Sequence, residues 1–305
     1  MRPLKVGYVL PLLEDVETGE PNRWSEIRAQ ALLAEEIGFD TVWVPDELLW
    51  QPKDWPGPRG WWECVAMLGA VAASTSRIRI GSWVLSNLHR KPALTAKIAA
   101  TVDEISGGRF ILGLGAGHAG RQGEAFGYPP DPVYGPFEEG FTIIRSLIRD
   151  GEVNFAGRHH TVVDCLQRPR GPQAERLPIM VGGRGPRMLQ LIARHADIWS
   201  WYADERSDLT EFRPLLAALD EACAAVGRDP GSIGRSAGVI VEFDGAFDAE
   251  GKGLGVPIRG SAPAMAEQLA AFASAGMTQV EVMAGPAARA SIDAMAPVLE
   301  ALDAG

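Results

Sequence analysis

Two glycine-rich stretches, and the titratable side chains beside them, are where this chain could do chemistry. Residues 108–120 read GRFILGLGAGHAG, an apolar run that opens into glycines and delivers His118. Gly115, Gly117 and Gly120 match the G-x-G-x-x-G spacing that lets a backbone approach a pyrophosphate. Residues 181–186 read VGGRGP, between an apolar run and a helical pattern. Unpaired N–H groups at a helix start attract anions. With Arg184 and Arg187 adding positive charge, the second stretch is expected to hold a phosphate.

The dinucleotide reading of the first stretch fails on its context. A Rossmann site needs a helix opening at the third glycine, in the first βαβ unit. After Gly120 the chain reads RQGEAFGYPPDPVYGP, without a helical apolar stripe and crowded by Pro129, Pro130, Pro132 and Pro136. The other reading is that Gly113, Gly115 and Gly117 let the chain run flat against a planar ligand. His118 would then stand at the ligand's edge as a proton donor or acceptor, since histidine ordinarily titrates near neutral pH.

Composition narrows the classes further. The net charge is -10 and no Lys/Arg block stands out, which argues against nucleic acid and anionic membrane as partners. There is no H-x-H, no H-E-x-x-H and no C-x-x-C, so no metal site is expected. Cys64, Cys165 and Cys223 are far apart and point to a reducing compartment. The N-terminal apolar stretch is interrupted by Lys5, ends at Glu14 and Asp15, and reads as a strand rather than a signal peptide. No run approaches a membrane span. A cytoplasmic protein is expected.

The elements that must position these residues alternate regularly. Strands are predicted at residues 4–10, 41–45, 78–84, 110–114, 178–181, 197–201, 236–242 and 278–283, and helices at 23–37, 63–73, 92–105, 137–149, 186–195, 209–226, 263–275 and 287–302. The rhythm breaks only at 117–177, read as an insertion with one helix and a hairpin around 154–163, and the segment 244–259 is read as loop. Nearly continuous apolar strands imply burial on both faces. Eight βα units in 305 residues predict an α/β fold, a (β/α)8 TIM barrel in one domain spanning 1–305, with an open doubly wound sheet as the alternative. In such a barrel the active site lies at the C-terminal strand ends. That singles out Leu12, Leu13, Asp46, Glu47, Ser82 to Asn87, Gly115 to His118, Gly182 to Arg184, Trp201 and Tyr202.

Tryptophans are dense in the same region. Trp50, Trp55, Trp61 and Trp62 fall in a Pro/Gly-rich loop and are expected to wall a substrate pocket, favouring an apolar or aromatic substrate. His89, His159, His160 and His195 read as loop, hairpin and helix-end residues without a catalytic part.

With both glycine clusters placed on a barrel, the chain resembles the bacterial luciferase-like family of flavin and deazaflavin (coenzyme F420) oxidoreductases. The stretches that carry the resemblance are FDTVWVPDE, IRIGSWVLSNLHRKPALTAKIAATVDEISGGRFILGLGAG and LPIMVGGRGPRMLQLIARHADIW. It implies the barrel with an insertion after the fourth strand, and a dimer. It implies that Asp46 and Glu47 occupy positions where deazaflavin members carry an acidic residue and then a histidine. It further implies a bulge with a non-proline cis peptide at Ser82–Trp83 behind the ring, Gly115, Ala116 and Gly117 along the ring, and a phosphate loop at Val181, Gly182, Gly183 and Arg184. His118 falls where the sugar-phosphate dehydrogenase branch carries a catalytic glutamate.

Three functions are then open. The first is hydride transfer between coenzyme F420 and a small organic substrate, with His118 and then Glu47 as catalytic residues. The second is an FMN-dependent monooxygenase fed reduced flavin by a reductase and reacting with oxygen. The third is a non-catalytic flavin-binding barrel. The Asp46 position and the Gly115–His118 pattern favour the first.

Overall fold

The computed structural model describes residues 2–53, 55–118, 120–128, 133–243, 256–285 and 289–305. Eight parallel strands close into a barrel: β1 (Lys5–Val9), β2 (Thr41–Val44), β3 (Arg79–Ser82), β4 (Phe110–Gly115), β5 (Ile179–Gly182), β6 (Ile198–Tyr202), β7 (Gly234–Glu242) and β8 (Gln279–Gly285). Each pairs in parallel with the next, and β8 pairs with β1, so no edge remains. Around it run α1 (Trp24–Ile37), α2 (Cys64–Ser74), α3 (Pro92–Ser106), α4 (Gly120–Phe126), α5 (Tyr134–Arg149), α6 (Pro186–His195), α7 (Leu209–Ala225), α8 (Ala262–Ser274) and α9 (Arg289–Ala304). The barrel expected from the alternating pattern is the one found. The expected start of the last helix at 287 and most of the segment 244–259 lie outside the described residues.

Two apolar clusters hold the fold. The larger lies between strands and helices. The smaller fills the barrel with Val9, Trp43, Ile111 and Met180, joined by Trp83, Val84, Ile198 and Met283. Trp43 is the largest side chain inside and is fully buried. Gly81 is its register partner on β3 and Gly7 lies two residues before its partner Val9 on β1, and a Cβ on either glycine would overlap the indole. Close packing of one large ring therefore dictates two glycines. Beside it Glu281 is also fully buried; its Oε1 accepts from Ser236 Oγ (2.8 Å) and Gln279 Nε2 (2.7 Å).

The far end of the barrel explains a different part of the sequence. In DEISGGR, Gly107 and Gly108 turn the chain out of α3 with φ of 64° and 87°. Arg109 then donates to the carbonyls of Ala72, Thr75, Ile78 and Ser106 and to Thr75 Oγ1. Asp103 is buried and accepts from Gln173 N and Nε2.

Within 117–177 the pattern departs from expectation in one place. Residues 120–126 form α4, in a stretch whose sequence predicts no helix. The prolines that argue against one lie beyond its last turn, and α4 is held by contacts rather than by an apolar stripe, through buried Gln122. The helix predicted from 137 starts earlier, at Tyr134, because Pro136 sits in the first turn where no N–H is needed. It packs on α3 as a helix of the barrel's outer ring. The hairpin is present, Glu152–Ala156 against Thr161–Leu166.

Candidate active site

Strands β3 and β4 build the floor of the barrel mouth. The Ser82 hydroxyl donates to the Gly113 carbonyl and accepts from the Gly113 N–H, both at 2.9 Å. Trp83 N–H still follows the ladder to Val44 O at 2.9 Å, and only then does the chain leave it. The non-proline cis peptide accordingly falls at Trp83–Val84, one bond beyond the expected Ser82–Trp83. The Trp83 indole reaches across the mouth, donating from Nε1 to Ser200 Oγ (3.1 Å) and lying against Gly238. Val84 fills the space between Gly115 and Gly182: a Cβ on Gly115 would come within 2.7 Å of it, and one on Gly182 within 3.4 Å.

This arrangement corrects the reading of the glycine run. The room at Gly113, Gly115 and Gly117 is taken by Ser82, Val84, Ser86 and Leu88 of the same chain. Ala116 turns its methyl to the outer core. Three further residues predicted to hold a cofactor do not offer their side chains to the mouth. Ser82 is buried and spent on Gly113. Val181 is buried toward the helices.

Asp46, the third, is closed in completely. It accepts from Ser86 N (2.8 Å) and from Arg90 Nη1 (2.6 Å) and Nη2 (2.9 Å), with His89 Nδ1 at 3.2 Å. Burial alone would raise its carboxyl, but His89 and Arg90 hold it below the ordinary carboxylate range. Arg90 continues to Glu63, which caps α2, and His89 stacks on Tyr128. Asp46 thus anchors the segment 86–90 that edges the floor.

The next residue faces the other way. Glu47 Oε2 lies 3.5 Å from His118 Nε2. Gln122, missed by the sequence reading, joins them: its Nε2 is 2.6 Å from Glu47 Oε2 and 3.0 Å from His118 Nδ1, with His118 Nε2 farther at 3.4 Å. Its Oε1 accepts from Leu48 N at 3.0 Å and approaches Leu49 N at 3.5 Å. His118 precedes α4, so no helical spacing marked the pair in the sequence. Burial raises the Glu47 carboxyl above its ordinary value, opposed by His118 and Gln122. The His118 side chain is 52% exposed, so the pair opens to the mouth. The phenol of Tyr202 is pushed up by burial first, then by Asp204 and Glu47, and stays protonated.

The loop after β5 is the cationic side. A Cβ on Gly183 would overlap Met188 in the first turn of α6. Arg184 lies over the Trp201 ring (4.8 Å) and pairs with Asp204 at 2.8 Å. Helix α6 begins with Gly185 as N-cap, no side-chain cap and Pro186 in its first turn. Of the loop tryptophans, Trp50 packs edge-on against Trp55 and Trp61, and the 49–50 strand rests on α4. Trp62 turns away, donating to Asn22 O at 2.7 Å. Among the described residues no cluster of three or more His, Cys, Asp or Glu could hold a metal.

Comparison with known proteins bears on the fold and the family. The family model described as luciferase-like monooxygenase matches residues 4–246. An F420-dependent glucose-6-phosphate dehydrogenase of Kineococcus radiotolerans is 31% identical over 249 residues, covering 80% of this chain and 69% of the relative. The enzyme of the same name from Amycolatopsis mediterranei is 30% identical over 252 residues, covering 79% and 70%. An F420-dependent secondary alcohol dehydrogenase in complex with an F420–acetone adduct superposes with a TM-score of 0.81 at 19% identity, covering 99% of each chain. The chain belongs to the luciferase-like monooxygenase family.

Proposed function

We propose that the protein is an oxidoreductase that transfers hydride between coenzyme F420 and a small organic substrate. The observation that carries this is the Glu47–Gln122–His118 group open to the mouth above an apolar floor. The residues present fit such a cofactor. The uncapped start of α6 and the side chain of Arg184, 57% exposed, suit a phosphate, and Trp83 with Val84 suits one face of a flat ring. Coenzyme F420, when bound, supplies a ring carbon that accepts or gives a hydride. The chain's own part is proton handling. Glu47, with His118 beside it at the substrate oxygen, takes the proton of a substrate hydroxyl in one direction and returns it to a carbonyl oxygen in the other. Trp83 and the 49–61 hairpin exclude water from the site, and the packed indoles of Trp50, Trp55 and Trp61 favour an apolar or aromatic substrate.

The competing reading, supported by the family's description, is reduced FMN reacting with oxygen beside a reductase partner. Fluorescence titration separates the two. F420 is expected to bind with a lower Kd than FMN; equal or reversed affinities would reject the F420 reading.

A homodimer is part of the same proposal. Helix α2, CVAMLGAVAAS, carries no charged residue, with Ala66 and Ala73 exposed and Met67, Gly69 and Ala70 half-buried. Sedimentation is expected to give twice the 32.7 kDa chain mass, and Ala70→Glu to give the single chain. A monomeric natural protein would refute this. A reducing, cytoplasmic setting fits three cysteines that are all free, two of them buried. Among the described residues no helix is long and apolar enough to cross a membrane.

A further inference from the structure

The geometry points to Gln122 as the residue that fixes the proton on His118. A backbone N–H can only donate, so the Leu48 N–H at 3.0 Å requires the oxygen of the Gln122 amide on that side. The amide nitrogen is thereby turned to the pair, and it too can only donate. It donates to Glu47 Oε2 (2.6 Å) and, of the two ring nitrogens within reach, to the nearer, His118 Nδ1 (3.0 Å against 3.4 Å for Nε2). Nδ1 must then be bare, and the neutral ring carries its proton on Nε2, the nitrogen 3.5 Å from Glu47 Oε2.

We propose that Gln122 is a positioning residue that holds His118 in the Nε2–H form and so divides the work of the site. With Nδ1 occupied and Nε2 protonated, neutral His118 has no lone pair free to act as a base. It acts as a hydrogen-bond donor to the substrate oxygen, a part a neutral imidazole can play. The proton itself passes through Glu47, whose carboxylate takes it from the hydroxyl as the O–H bond breaks and, once protonated, gives it back to the carbonyl oxygen. This refines the proposed function and rests on it for the substrate's part, but the state of the ring is a property of the protein alone.

The test is long-range ¹H–¹⁵N correlation on histidine-labelled protein without cofactor, at a pH where the ring is neutral, with His118→Asn identifying the resonances. The natural protein is expected to show Nε2 protonated and Nδ1 bare. In Gln122→Glu a carboxylate replaces the amide donor, and the proton is expected to move to Nδ1. In Gln122→Met, which offers neither donor nor acceptor, a mixture of the two forms is expected. A natural protein with Nδ1–H, or a Gln122→Glu protein that keeps Nε2–H, overturns the assignment. With cofactor and substrate, Gln122→Glu is expected to lower kcat by roughly 10²-fold, within the range of acid–base contributions, while the Kd for F420 stays near its natural value. Nε2–H in a protein that binds no F420 would keep this assignment and discard the cofactor reading. Strong F420 binding with Nδ1–H would do the reverse.

Discussion

Replacing Glu47 by Gln is expected to lower kcat by about 10²–10⁴-fold, the usual contribution of a proton-transferring group, with little change in cofactor affinity. The amide keeps the shape and still accepts from Gln122, so binding and folding are preserved while the proton has nowhere to go. The pH profile adds a sign. Burial raises Glu47 above the ordinary glutamate value, against the pull of His118 and Gln122. Oxidation of a hydroxyl needs the carboxylate, so its rate climbs as pH passes upward through that raised value and then levels. Carbonyl reduction needs the acid and falls over the same interval. Steady-state kinetics in both directions should show both limbs in the natural enzyme and neither in the variant. Unaltered turnover would remove Glu47 from the reaction.

Glu281→Gln is expected to stabilise the fold at neutral pH. Burial inside the barrel pushes the Glu281 carboxyl from 4.5 up to about 8, opposed by the hydrogen bonds from Ser236 and Gln279. Below the ordinary glutamate value both folded and unfolded chains hold the proton and nothing is lost. As pH rises from there to about 8, the unfolded chain has released it and the folded chain has not, so the folded state loses stability throughout that interval. At pH 7 the loss is about 3 kcal/mol, taking ~1.4 kcal/mol per pH unit. A neutral amide of the same size avoids it. Thermal unfolding should show the Glu281→Gln protein melting several degrees higher at pH 7–8 and the difference vanishing near pH 4.5. A difference independent of pH would mean that Glu281 is not the titrating group.

The barrel was legible because its signal is long-range and repetitive. Eight apolar runs alternate with amphipathic ones, and errors of a residue or two at each end leave the topology intact. The pairing of Glu47 with His118 was legible only as two strand-end positions. Gln122 was not, since nothing local marks a glutamine in GRQGEAF as buried, and the fold alone brings it under Leu48. Asp46 misled for a related reason. An acidic residue at a strand end reads as a ligand contact, whereas here Arg90, forty-four positions on, encloses it. DEISGGR, part of the middle stretch that carries the family resemblance, serves the end of the barrel opposite the site, where Arg109 ties β4 to the end of α2.

The glycine run shows what a motif can record. GLGAG is the mould of another segment of the same chain, and Val84 with its neighbours is the cast. Mould and cast must change together, because a methyl added to one is a collision with the other. The walls are under no such bond. The 49–61 hairpin together with α4, which it rests on, forms one wall and the loop after β5 another, each hanging from the barrel by its own connection. A lineage, or an engineer, can therefore exchange what the site admits, one wall at a time, over a floor that stays fixed.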